Sequence, residues 1–247
     1  MKRHEMMDEY ILMAKVRRDT MGKHQMLDKH ELQYGEFEGN FLRKKYLAYL
    51  RRAKTEKQMQ LFFETNPVVL PGLYDRHNGP LGNVVISKLK LANEYATDFA
   101  FISEDSANVQ ITLIEIESPS MKVFRDSDDQ FTSTFNKALQ QMRDWTTWFH
   151  TNQTYAKDLF RDIYFKGVFR HQHVTTKVIL IAGRRDHIRL NSQREKRWAG
   201  LNASIAPNEV ITYDHLAYGM TIDLGVLRKL ICRPQSYIAN ELRRHYQ

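Results

Sequence analysis

Cysteine is almost missing from this chain: Cys232 stands alone among 247 residues, so no intrachain disulfide can form, and nothing marks the chain for an oxidising compartment. Long apolar runs are missing as well. The run Val178 to Ala182 stops at Gly183, far short of what a bilayer requires. Met1-Lys2-Arg3 is followed by Glu5, Asp8 and Glu9 and not by the apolar core of a secretory signal. These absences predict a soluble, cytoplasmic protein with no membrane partner. There is no phosphate-cradling glycine loop of the Walker type and no Ser-His-Asp signature, which leaves ATP hydrolysis and acyl transfer without support. No Cys-x-x-Cys pair accompanies His171 and His173, so a zinc site there has no visible partners, and surface residues are expected.

What is present is charge, with an excess of one sign. Lys and Arg number 37 against 29 Asp and Glu, a net +8, while 42% hydrophobic residues suffice for the core of one large domain. A field of that sign attracts polyanions, and nucleic acid is the first partner to consider.

Residues 1 to about 54 read as a helical, basic N-terminal region, with Arg43, Lys45, Arg51, Arg52 and Lys54 close together. Thr55 is placed to cap a helix whose apolar positions Met59, Phe62 and Phe63 recur at helical spacing, and Asn66-Pro67 ends it. Gly, Pro, Asp and Asn mark a loop from Pro71 to Gly82. Three strands are expected next, Val84 to Leu91, Tyr95 to Ile102 and Val109 to Glu117, close enough for an antiparallel meander. Ser127 and Gln130 form a capping-box pattern ahead of a helix carrying the stripe Phe131, Phe135, Ala138, Met142, Trp145 and Phe149. Lys177 to Ala182 reads as a strand buried on both faces. A helix around Gln193 to Leu201, a short strand Glu209 to Tyr213, and a final helical region capped by Asp214 and running towards Arg233 complete the order.

The informative residues are acidic. Glu115 and Glu117 are two apart on a strand and project from one face. Asp98 lies seventeen positions earlier, on the neighbouring strand. If the three meet, like charges crowd together, and either a carboxyl takes up a proton or a cation neutralises the cluster. All-oxygen donors favour Mg²⁺ or Mn²⁺, which also binds a phosphate oxygen and a water. The bland alternative puts Asp98 in a turn and the glutamates at a solvated strand end. Against it, Val109-Gln110-Ile111-Thr112-Leu113-Ile114 is too apolar for a surface edge, and a helix follows where it can complete a pocket.

An acid on a second strand, an acid-x-charged triplet on a third and a helix after it resemble the core of PD-(D/E)xK nucleases. Leu61-Phe62-Phe63-Glu64-Thr65-Asn66-Pro67, Leu113 to Pro119, Ala138-Leu139-Gln140-Gln141-Met142-Arg143-Asp144-Trp145, Ile179 to Arg184 and Ile211 to Asp214 resemble, in that order, segments of the nuclease domain of Shedu anti-phage defence proteins. The resemblance covers roughly residues 55 to 232. It implies a restriction-endonuclease-like α/β fold over residues 55–247, a mixed central sheet flanked by helices. It further implies a DNA partner, defence against phage and a homo-oligomer. The metal would be held by Asp98, Glu115 and the Ile116 carbonyl, with Glu56 as a further carboxylate, while Gln141 points at the cluster. Where the family has lysine this chain has Glu117, which would act as metal ligand or general base, with Lys122 as an alternative cation. Glu56 has the ordinary reading of complementing a helix dipole. Arg184, Arg185 and Arg194, the last in a dense basic stretch, are candidates for phosphate contact, though such a stretch is more often a solvated face. A catalytically degenerate nuclease fold that binds or senses DNA ends is the rival function, and a purely structural interaction domain the third.

Overall fold

A computed structural model describes residues 34–37, 39–72, 84–104, 108–154, 173–220, 225–228 and 230–236. The expected helical region over residues 1–33, the loop from residue 73 to Gly82, and His171 lie outside the described residues. The sheet is organised around β6 (Asn108–Ile116), which pairs antiparallel with β5 (Phe99–Glu104) and parallel with β7 (His173–Ile181). Beyond β5 lie β2 (Val84–Ser87), antiparallel to it, and β10 (Ile231–Pro234), parallel to β2. Beyond β7 lies β8 (Glu209–Ile211), again parallel, giving the order β10-β2-β5-β6-β7-β8. Two small ribbons stand apart: β1 (Tyr34–Phe37) with β9 (Gly225–Arg228), and β3 (Lys90–Leu91) with β4 (Tyr95–Ala96).

Alternation along the strands builds two apolar layers. Ile111 and Leu113 of β6, with Val178, Leu180, Ala100 and Ile102, pack under α3 (Ser133–Thr151), whose stripe includes Phe135, Met142, Trp145 and Phe149. Ile114 and Ile116 turn to the other face with Phe99, Ile179 and Ile181. There they meet α1 (Gly39–Leu50), α2 (Glu56–Thr65) and α4 (Tyr213–Gly219) through Tyr46, Leu50, Phe62, Phe63 and Tyr213. Each fully buried side chain of this size contributes about 1.5–3 kcal/mol by leaving water. β7 is covered on both faces, as its Val and Ile run requires. The result is the mixed sheet flanked by helices that the sequence predicts. Among the described residues, no helix is long and apolar enough to cross a membrane.

Four expectations need correction. The strand expected over Val84 to Leu91 breaks at Lys88, whose φ of 52° is left-handed, and its partner breaks at Thr97 and Asp98. Pairing nevertheless continues across the break, because the Lys88 N–H donates to the Asp98 carbonyl at 3.0 Å and the Thr97 N–H to that of Leu89 at 2.9 Å. The long helix starts after Thr132, whose hydroxyl accepts from the Phe135 N–H, and not at Ser127. The stretch before it is a tight loop in which Phe124 bridges Phe131 and Asp129 takes φ 54°. The expected C-terminal helix ends at Gly219 and gives way to β9 and β10, because pairing with the free side of β2 outweighs local preference. Asp214 is no cap: Thr212 holds the N-cap position, and the Asp214 carboxylate binds Arg184 and the Arg185 N–H.

The boundary expected at residue 54 is bridged by packing. Tyr46 of α1 is fully buried and donates to the Tyr213 carbonyl at 2.7 Å, and Arg43 Nε donates to the Ala217 carbonyl at 3.1 Å.

Candidate active site

The apolar pattern of β6 ends in an acid. Glu115 continues the face of Ile111 and Leu113, so its side chain rises beside α3, where Gln141 Nε2 donates to its Oε1 at 2.6 Å. Asp98, immediately before β5, is only 4% exposed, and its Oδ2 accepts from the Ile116 N–H at 2.8 Å. Its other oxygen meets the Lys88 ammonium, and its charge acts on Glu115. Glu117 follows in register: its N–H donates to the Ile181 carbonyl at 2.9 Å, and its own carbonyl accepts from the Tyr213 hydroxyl.

A clasp brings in the fourth acid. Ser118 and Ser120 hydroxyls both donate to the Lys54 carbonyl, at 2.7 and 2.8 Å, tying the loop after β6 to the start of α2. Thr55 caps that helix, with Gln58 completing the capping box, so Glu56 occupies its first turn and reaches the cluster's field. Burial, then the charge of Asp98, raises the Glu56 carboxyl above its usual range.

Crowding four acids has the electrical consequence it must. Burial pushes Glu115 up to about 10, helped by the charges of Asp98, Glu117 and Glu56. Glu117 is raised to about 7 by burial and by the charges of Glu56 and Asp98. At neutral pH Glu115 therefore holds a proton, and Glu117 is poised to take one up or release it. Among the described residues, no three His, Cys, Asp or Glu side chains already close around one point. The donor set nevertheless fits a hard divalent ion: the carboxylate and carbonyl atoms it offers are all oxygen, and the negative charges exceed the single ammonium in contact.

The structure thus brings together Asp98, Glu115, Glu117, Glu56 and Gln141, with the Ile116 backbone bound to Asp98. It does not bring in Lys122, which pairs with Asp126 at 2.5 Å on an exposed surface. Arg194 is not a surface cation either. It is 1% exposed, binds Asp129 at 2.5 Å, and donates to the His187 and Arg125 carbonyls at 3.2 and 3.1 Å. Arg184 is committed to Asp214, while the Arg185 guanidinium lies 4.2 Å over the Tyr218 ring, beside a cleft lined by Arg189, Trp198 and His215. Sequence reasoning missed Lys88 and Tyr213. Hairpin register was a usable signal for the first: Lys90 faces Ala96 and Ser87 faces Phe99, which sets Lys88 opposite Asp98.

No curated protein matches the chain. A family model described as Shedu protein SduA, C-terminal, matches residues 53–217, a span that holds all five acidic-site residues and Lys88. Since that is more than half of the 247 residues, the chain belongs to the Shedu SduA C-terminal family.

Proposed function

We propose that this chain is a metal-dependent DNA endonuclease of the Shedu type, acting in defence against phage. The observation that carries the reading is the convergence of Asp98 and Glu115 at the end of β6, Asp98 bound to the Ile116 N–H and Glu115 to Gln141, with Glu117 two residues further on. Asp98, Glu115 and the Ile116 carbonyl would hold Mg²⁺ or Mn²⁺, with Glu56 as an outer carboxylate, and the ion would supply a polarised phosphate and an acidified water.

The chain's own groups divide the remaining work. Glu117, raised to about 7, is matched to accepting a proton from an attacking water near neutral pH. Gln141 fixes the Glu115 carboxylate, and the Tyr213 hydroxyl holds the Glu117 backbone in place. Exposed Arg51, Arg52 and Lys54 lie ahead of α2, where the Lys54 carbonyl accepts from the Ser118 and Ser120 hydroxyls, and Arg185 adds charge further along. Contacts of this kind hold phosphates without reading bases.

Incubation of plasmid and linear DNA with Mg²⁺ or Mn²⁺ tests the reading. Metal-dependent cleavage that falls by about 10³-fold or more in Asp98→Ala and Glu115→Ala is the expected result. Glu117, standing where the family has lysine, favours a second reading, a DNA-end sensor without chemistry. Salt-sensitive binding with no cleavage under any divalent ion would select it.

A further inference from the structure

We propose that Lys88 is the phosphate-facing cation of this site, supplying from the neighbouring strand the positive charge that position 117 lacks. The proposal rests on the nuclease reading and names a residue which that reading does not use. Three observations carry it. The Lys88 ammonium contacts Asp98 and lies in the field of Glu115 and Glu56, whereas Lys122 is turned away to Asp126. The Lys88 side chain is 54% exposed against 5% for Asp98, so the ammonium caps the acids on their open side, where a DNA backbone would arrive. Its backbone is left-handed at φ 52°, an uncommon state for a residue with a side chain, and it is pinned by the N–H bond to the Asp98 carbonyl. The β2 kink therefore aims this side chain at the acids from directly across the hairpin.

A lysine held only to balance Asp98 would need no open side. Lys88 has one, together with a flexible stem that lets its charge move from Asp98 to a phosphate oxygen without disturbing the strand. In the hydrolytic step the water oxygen bonds to phosphorus and its proton passes to Glu117. The ester oxygen departs and takes a proton from solvent, while Lys88 holds the negative charge that builds on the phosphate oxygens.

Lys88→Gln and Lys88→Arg in the full chain test this by two readouts, Mn²⁺ titration by calorimetry and cleavage kinetics on DNA. Lys88→Gln removes a cation competing for Asp98, so Mn²⁺ should bind tighter, by roughly 3- to 30-fold, while kcat falls by about 10²-fold or more and KM changes little. Lys88→Arg should recover part of kcat. A lysine serving only to position Asp98 gives the opposite metal result, since its loss loosens the carboxylate and weakens Mn²⁺ binding; that outcome, or unchanged cleavage, overturns the proposal. If the wild-type chain neither binds Mn²⁺ nor cleaves, the nuclease reading fails and takes this proposal with it. If it does both and Lys88→Gln behaves identically, Lys88 alone is misassigned.

Discussion

Arg194 and Glu115 are both charged residues drawn out of water, and they end in opposite electrical states. Around Arg194 every partner is complementary: the Asp129 carboxylate and the His187 and Arg125 carbonyls saturate the guanidinium, and the Phe124 ring lies 5.5 Å away. Around Glu115 the neighbours are alike, Asp98, Glu117 and Glu56, with one lysine at the mouth. The first cluster is closed and fastens the loop between β6 and α3. The second is left with an excess that only a proton or an ion can relieve. Net charge along the sequence marks both equally; the sign of the partners separates scaffold from site.

Breaking each cluster should therefore act on different observables. Arg194→Met strips Asp129 and several carbonyls of their buried donor and should destabilise the fold. Chemical denaturation measures this directly, and the melting temperature should drop by roughly 10 °C. Glu115→Gln should do the reverse. A carboxyl raised from 4.5 to about 10 favours the folded state fully below pH 4.5 and progressively less as pH climbs to about 10. Removing it should stabilise the protein at pH 7 by about 1–3 kcal/mol and flatten the dependence of stability on pH between 5 and 9, while abolishing Mn²⁺ binding. A destabilised Glu115→Gln would mean that the acids are already compensated.

Metal affinity sharpens the contrast further. Binding must expel the Glu115 proton throughout the range below about 10. Mn²⁺ titrations at stepped pH should therefore release about one proton per ion between pH 6 and 9. The smallest effect belongs to Lys122. Its exposed pair with Asp126 predicts that Lys122→Ala leaves both the melting temperature and Mn²⁺ affinity unchanged. A loss of cleavage in that variant would return Lys122 to the site.

Much of this was legible from residue order because it follows from periodicity. Two-residue alternation put Glu115 and Glu117 on one face, the Val and Ile run of β7 announced a strand covered twice, and the α3 stripe gave the covering layer. Thr55 announced its helix start correctly. What failed depended on contacts distant in the chain. Ser127 and Gln130 mimic a helix start, but the segment is held as a loop by Arg194, more than sixty residues away. The stretch before Arg233 became a strand because β2 had an unpaired side. Lys88 was overlooked because an unbroken strand was expected where the backbone turns left-handed. Arg194 itself was misread because a count of basic residues carries no record of which one finds acids.

The hydroxyl of Tyr46 ends on the carbonyl of Tyr213, whose ring lies parallel to Phe63 and whose hydroxyl reaches Glu117. Tyr46 precedes residue 53, where the family match begins. A recombinant fragment trimmed to that match would strip α1 from the aromatic stack and orphan a buried acceptor two bonds of the relay away from the proposed base. The smallest piece worth expressing is therefore longer than the piece that comparison recognises, and it must include α1.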